Sequence, residues 1–206
     1  MHNKFLIIDN NFIWSGSGNY NYYSFYRNYE NFVKINKSLI AKVYSEEFEE
    51  LKSGAKESGI YFGKYIEIYF SPEDNFKQRV IELINKATKS IEFMIYSFSD
   101  QDIADALIEA KNRGVDVKGL FDASWSKNQY SKDEYLQNRD INISYSNSKR
   151  LLHDKVMIID ANITITGSYN FTISANSENR ENSIILKSNK IAKKYMLEFE
   201  RIYRLR

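Results

Sequence analysis

His2-Asn3-Lys4-Phe5-Leu6-Ile7-Ile8-Asp9 and His153-Asp154-Lys155-Val156-Met157-Ile158-Ile159-Asp160 are one pattern written twice. The copies continue as Gly16-Ser17, Asn19 and Glu30-Asn31, and as Gly167-Ser168, Asn170 and Glu181-Asn182, always 151 positions apart and without a gap. Aligning 2–51 with 153–202 gives 12 identities up to Asn31/Asn182 and 7 beyond, 19 of 50 positions. The chain has 2 histidines, and each heads one copy. Self-similarity of this length marks a duplicated unit, with a period too long for a solenoid.

Outward from the repeat, the two copies have unequal surroundings. The second is preceded by a long lead-in, from about Tyr65 to Leu152, and the first by nothing but Met1. The chain accordingly divides into 1–63, the C-terminal part of a first unit, and 64–206, a complete second unit. The expectation is that the natural polypeptide extends upstream of Met1. The rival is completion of the short unit by another copy of the chain, a homodimer.

Apolar alternation predicts strands over Lys4–Asp9 and Asn11–Ser15, hinged at Asn-Asn, and a third over Asn31–Asn36. Lys37–Ser53 has helical spacing, with Ile40, Val43, Tyr44, Phe48 and Leu51 on one face, and Gly54–Gly63 reads as a loop. Next comes a strand over Ile66–Phe70. Ser71-Pro72-Glu73 reads as a helix start, and that helix runs to about Thr88. Ile91–Phe98, Val115–Phe121 and Ile141–Tyr145 read as strands. A helix from Asp100 to Gly114 and a short one over Lys132–Asn138 lie between them. The second motif gives strands over Val156–Asp160 and Ile163–Gly167, then a strand near Ser183–Lys187 and a helix from about Asn189. This alternation implies an α/β domain with a mixed sheet between helices.

Bulk properties are those of an ordinary globular chain: 206 residues, 43% hydrophobic, 27% charged and a net charge of +2. That length can bury a substantial core. The charge permits an anionic substrate without demanding one. There are 0 cysteines, which excludes disulfide and thiolate chemistry. No apolar run is long enough to span a bilayer, so no stable membrane insertion is expected. Nothing in the sequence separates a cytoplasmic from a secreted location.

In a strand, alternate side chains share a face. His2 and Lys4 therefore emerge together, as do His153 and Lys155. Ser17 and Asn19, and Ser168 and Asn170, are likewise two apart. If the copies meet, one pocket holds two imidazoles, two ammonium groups, two hydroxyls and two amides. Lys4, Lys155, Ser17, Asn19, Ser168 and Asn170 suit the non-bridging oxygens of a phosphate. One imidazole can attack phosphorus and the other can protonate the leaving oxygen. Glu30 and Glu181 can each accept from a histidine's second nitrogen and fix its tautomer. Asp9 and Asp160 are expected to support the structure rather than react.

The spacing H-x-K, four residues, D, six residues, G-S, then N resembles the HKD motif of the phospholipase D superfamily, and it occurs twice. The resemblance implies a phospholipase D-like α/β/α sandwich with a mixed sheet, its duplicated unit bringing both motifs to a pseudo-twofold axis. It implies phosphodiester hydrolysis or transfer through a phosphohistidine, with no metal and no other cofactor. By analogy with two-motif members, His2 is the nucleophile and His153 the general acid.

Blander readings stand beside these. Two histidines with carboxylates can bind zinc, although the adjacent lysines disfavour a cation; activity in EDTA separates the two. Tyr20, Tyr22, Tyr23, Phe25 and Tyr26 suggest a base-stacking platform, but packing beneath the motif is expected for at least half of them. Lys149 and Arg150 suit phosphates or a solvated loop equally, and Arg27 and Arg180 carry no stronger expectation. The expected substrate is a nucleic acid: the unit is compact, without a lid or an amphipathic membrane-docking stretch. The alternatives are a phospholipase D or a cardiolipin-synthase-like phosphatidyltransferase acting on phospholipid, and a non-catalytic nucleic-acid-binding module.

Overall fold

The computed structural model describes every residue except Lys56, Asn147, Ser148 and Arg206. The first motif forms strands β1 (Phe5–Ile8) and β2 (Phe12–Gly16), then a short helix α1 (Tyr22–Tyr26), strand β3 (Phe32–Asn36) and helix α2 (Ser38–Ser53). The second unit opens with β4 (Tyr61–Phe62), β5 (Ile66–Ser71), α3 (Phe76–Lys86), β6 (Ser90–Ile95), α4 (Gln101–Asn112) and β7 (Asp116–Phe121). It continues through α5 (Asp133–Gln137) and β8 (Asn142–Tyr145) to the second motif on β9 (Lys155–Ile159) and β10 (Ile163–Gly167). Helix α6 (Ile173–Ser177), β11 (Glu181–Lys187) and α7 (Asn189–Tyr203) then repeat the order of α1, β3 and α2.

Each motif is a hairpin for the same local reason. Asp9 and Asn10, and Asp160 and Ala161, hold φ between 49° and 53°. Asn11 and Asn162 donate back to Ile8 and Ile159 at 3.0 Å. Two consecutive left-handed residues make the type I′ turn that matches strand twist, and Asp tolerates that conformation. The turn therefore sits at Asp9-Asn10 rather than at the Asn10-Asn11 pair expected.

The second unit's sheet is mixed and eight-stranded, in the order β4-β5-β11-β10-β9-β6-β7-β8, with β6-β7-β8 parallel. One face buries Phe93, Met157, Ile159, Ile165, Phe171 and Ile185 against α3 and α4, through Val80, Ile84, Ile103 and Leu107. The opposite face buries Val156, Ile158, Met94 and Leu120 against α7, through Ala192, Phe199 and Ile202. Beside α7, on that same face, Ile68, Phe70, Ile184 and Leu186 pack against Ile13 of β2 and Ile40, Ala41 and Tyr44 of α2. The small antiparallel sheet β1-β2-β3 is thereby fused to the large one through a shared apolar core.

Three expectations need correction. The helix expected from Ser71 starts at Phe76: β5 runs through Ser71, and the Asp74 carboxylate closes a turn by accepting from Phe70 N at 2.6 Å and from Ser58 Oγ at 2.7 Å. The loop expected over Gly54–Gly63 contains β4, which pairs with β5; Lys56 lies outside the described residues. Phe48 of α2 is exposed rather than buried. The outer face of the three-stranded sheet is also uncovered among the described residues: Leu6 and Trp14 are exposed, whereas their counterparts Met157 and Ile165 are buried under α3 and α4.

Candidate active site

The two motifs meet, and each is completed by the other unit. The His2 amide donates to the Arg180 carbonyl at 3.0 Å, and the His153 amide donates to the Tyr29 carbonyl at 2.9 Å. Arg180 and Tyr29 are themselves 151 positions apart, so the exchange is reciprocal. It carries through to the side chains. His2 Nδ1 lies 2.8 Å from the Glu181 carboxylate, and His153 Nδ1 lies 3.0 Å from that of Glu30. The carboxylate partner of each histidine therefore comes from the opposite copy, a crossing that spacing alone left open.

The serines, expected at the phosphate, are hydrogen-bonded to the two carboxylates. Ser17 Oγ donates to Glu30 at 2.6 Å and accepts from Asn31 N at 3.0 Å. Ser168 Oγ donates to Glu181 at 2.5 Å and accepts from Asn182 N at 3.0 Å. Both hydroxyls are used to orient the carboxylates that orient the imidazoles. Asn19 is exposed, and Asn170 keeps a buried Oδ1 without a hydrogen-bond partner. These amides are the polar groups of the G-S-x-N stretch that remain open to a ligand.

Gly16 and Gly167 allow the close approach behind the serines. A Cβ at Gly16 would stand 2.1 Å from Asn31 O, and one at Gly167 would stand 2.2 Å from Asn182 O. Asp160 lies at the far end of β9 from His153. It accepts the amides of Thr88, Lys89 and Ser90, with the Lys89 bond at 2.7 Å, and so anchors the loop before β6. Asp9 is exposed. Neither aspartate has a hydrogen bond to His2, His153, Lys4 or Lys155 among the described residues.

Spacing alone also missed a second layer. Asn182 crosses into the first unit: its Oδ1 accepts from Ser15 Oγ at 2.5 Å and Tyr44 OH at 3.3 Å, and its Nδ2 donates to Asn3 Oδ1 at 3.1 Å. Asn31 crosses the other way, accepting from Thr166 Oγ1 at 2.6 Å and Tyr195 OH at 3.1 Å and donating to Asp154 at 2.8 Å. Tyr44 and Tyr195 recur at the repeat offset, which was the available signal. Their place on distant helices hid the link. The lead-in contributes as well. Tyr96, just past β6, packs its ring 4.9 Å from that of His153 and 5.4 Å from Lys155 Nζ. Asp122 accepts from Leu152 N at 2.9 Å and so holds the entry to the motif.

The lysines are buried, each donating to the carbonyl of its own histidine: Lys4 Nζ to His2 O at 2.8 Å, Lys155 Nζ to His153 O at 2.6 Å. Burial pulls the Lys4 ammonium down to about 8 and that of Lys155 to about 7, against the pull of Glu30 and Glu181. Burial also lowers the His153 imidazole; its Glu30 partner opposes the shift, and Lys155 adds to it. Glu30 stays below the ordinary carboxylate range, because the hydrogen bonds of His153 and Ser17 outweigh its burial. Asp154, fully buried, is pushed up to about 7 by desolvation. An anion bound beside the lysines and His153 would favour the charged form of each of these groups. Among the described residues, no three of His, Asp and Glu are grouped to hold a metal ion, and no helix is long and apolar enough to cross a membrane.

All five aromatics of the Tyr20–Tyr26 stretch are exposed, against the packing expected for at least half of them. Phe25 stacks on Phe32 at 5.2 Å, outside the sheet rather than beneath the motif. Arg180 pairs with Glu73 at 2.7 Å, and the Arg150 guanidinium lies 5.8 Å from the Tyr29 ring.

A family described as "Cardiolipin synthase, PLD-like domain" matches residues 1–52 and 80–203. A phospholipase D of Rickettsia prowazekii (strain Madrid E) is 39% identical over 127 residues, 62% of this chain and 62% of that protein. The aligned region thus spans less than two thirds of that relative. The solved structure of Nuc from Salmonella typhimurium, a phospholipase D family member, shares 34% identity with a TM-score of 0.64, covering 68% of this chain and 94% of Nuc. The phosphatidylserine synthase of Haemophilus influenzae Rd KW20 superposes on 99% of this chain and 62% of its own, with a TM-score of 0.73 at 9% identity, a likeness of fold alone. With the family matched across both motifs and an eight-stranded mixed sheet shared with its solved members, the chain belongs to the phospholipase D superfamily.

Proposed function

We propose that the chain is a metal-independent phosphodiesterase that works through a phosphohistidine, with residues 1–63 and 64–206 each contributing one half of a single site. The observation that carries this reading is the crossed pair His2–Glu181 and His153–Glu30. Each carboxylate holds Nδ1, so Nε2 is left for chemistry. His2 Nε2 attacks phosphorus and the bond to the leaving oxygen breaks, while His153, as imidazolium, transfers its proton to that oxygen. A water then gives its proton to neutral His153 and attacks the phosphohistidine. The P–N bond breaks, the phosphomonoester is released, and His2 returns as neutral imidazole and His153 as imidazolium. Lys4, Lys155, Asn19 and Asn170 stabilise the non-bridging oxygens as charge moves onto them.

The favoured substrate is a nucleic acid. Phospholipid is the second reading, supported by the name of the Rickettsia relative. A panel of single-stranded and duplex DNA, RNA, phosphatidylcholine and cardiolipin, assayed in EDTA with His153→Ala beside the unaltered protein, tests both. Turnover of nucleic acid in EDTA, lost by ~10³-fold or more in the variant, is the expected result. Turnover confined to phospholipid contradicts the substrate assignment, and activity that needs added metal contradicts the chemistry.

A further inference from the structure

Helix α1 and helix α6 occupy equivalent positions in the two units and carry unlike surfaces. Tyr22, Tyr23 and Tyr26 of α1 stand where α6 has Ile173, Ser174 and Ser177. The three tyrosines are 58%, 67% and 69% exposed. The bare outer face of the small sheet does not account for this. In the second unit, where α3 and α4 cover the sheet, Ile173 is still 63% exposed and Ser177 is exposed, while Ser174, opposite Tyr23, is half-buried. The α1 face is therefore a solvent face of the fold, and in one copy only it is built of aromatic rings. Exposed apolar patches of this kind mark interaction sites.

The rings lie against one another, Tyr23 edge-on to Tyr22. Tyr22 lies 5.1 Å from Tyr26 and 5.9 Å from Tyr23, centroid to centroid. The helix beneath is secured by Asn21, whose side chain caps Ser24 N at 3.0 Å, and by the buried Ser24 hydroxyl, which accepts from Asn19 N at 3.0 Å. No carboxylate occurs between Asp9 and Glu30. Arg27 follows the tyrosines and is exposed, and Arg150 lies against Tyr29. Asn28 then donates to Glu30 at 3.2 Å, and Glu30 holds His153. The tyrosines, Arg27, Asn28 and the Glu30 that holds His153 thus follow one another along the chain.

We propose that Tyr22, Tyr23 and Tyr26 form a stacking shelf for the unpaired bases of single-stranded nucleic acid, with Arg27 and Arg150 contacting the phosphates that lead to His153. Base-on-aromatic stacking is sequence-tolerant and needs unpaired bases, which a duplex does not present. This rests on the phosphodiesterase reading above and names its substrate class. A lipid surface fits less well: the shelf presents three phenolic hydroxyls and no aliphatic side chain.

The test is binding, by fluorescence anisotropy, of a labelled single-stranded oligodeoxynucleotide with cleavage-resistant phosphorothioate linkages to the full chain in EDTA, with phosphatidylcholine–phosphatidylglycerol vesicles assayed in parallel. Replacing the tyrosines by the residues of α6 (Tyr22→Ile, Tyr23→Ser, Tyr26→Ser) is expected to weaken oligonucleotide binding at least ~tenfold. Replacing all three by Phe keeps the rings and is expected to stay within about twofold of the unaltered protein. Circular dichroism melts show whether either variant is folded. Equal binding by the Ile/Ser/Ser variant and the unaltered protein overturns the shelf. So does equal loss in the Phe variant, or vesicle binding that disappears while oligonucleotide binding persists. Turnover of bis(p-nitrophenyl) phosphate by the unaltered protein reads the chemistry separately. Its absence overturns the phosphodiesterase reading and leaves the shelf to be judged on binding.

Discussion

At the scale of single residues, the site depends on groups held away from their ordinary protonation. His153 is lowered by burial and partly restored by Glu30. If it is the general acid, Glu30→Gln lowers it further, so the descending limb of kcat/KM moves to lower pH than in the unaltered protein. A pH–rate series on a soluble phosphodiester checks this; movement of the ascending limb instead would assign attack to His153. Asp154 offers a test of stability rather than activity. Its carboxyl, raised to about 7 by burial, is neutral in the native state at pH values where the unfolded chain ionises. The stability it contributes is therefore complete below the ordinary carboxylate range and is lost as pH rises through about 7. The first copy has Asn3 at this position. Asp154→Asn is expected to raise Tm by a few °C, a gain that grows from about pH 4 and levels off above about pH 7. Melting curves across that range check it, and a gain confined to low pH contradicts it.

At the scale of elements, the hairpins and their glycine corners set the geometry. Gly167 has φ +141° and no room for a Cβ, whereas Gly114 has φ +92° with nothing within 4 Å. Gly114→Ala carries backbone strain alone, about 1 kcal/mol. Gly167→Ala adds a collision with the Asn182 carbonyl, so it is expected to cost ~1–3 kcal/mol more in thermal melts, and to lower activity by displacing Ser168 and Asn182. Most of these elements were legible from the sequence, because period-2 and period-3.6 patterns are local. Strands β1, β2, β9 and β10 and helices α2, α4 and α7 follow from alternation and spacing. What escaped was non-local or too short to show a period. The two-residue β4 exists only by pairing with β5. Helix α3 begins late because the Asp74 carboxylate, bonded to Ser58 and Gly59, closes the turn before it. Which glutamate serves which histidine could not be read from spacing, since both are equally far along the chain from their own motifs. The use of Ser17 and Ser168 on carboxylates was hidden for the same reason.

At the scale of the whole molecule, two unequal halves share one pseudo-symmetric seam. Strand β9 has neighbours on both edges, β10 and β6, whereas among the described residues β1 pairs with β2 alone. Amide exchange measured by mass spectrometry should therefore find Phe5–Ile8 less protected than Lys155–Ile159; equal protection would show that β1 has a second neighbour in solution. The seam should be the rigid part, because both halves hold it from both sides. Its chemistry is the claim on which the rest depends: imidazoles from the two halves act on one phosphorus atom. The direct measurement is alkaline-quench mass spectrometry, which preserves the acid-labile P–N bond, during turnover of bis(p-nitrophenyl) phosphate in EDTA. Its leaving group departs without protonation, so His153→Ala should still form the adduct on His2 and then fail to hydrolyse it, releasing a single equivalent of p-nitrophenolate. A phosphorylated His2 that persists in this variant and turns over in the unaltered protein is the predicted result. Turnover with no histidine adduct in either protein, or normal hydrolysis by His153→Ala, would contradict it.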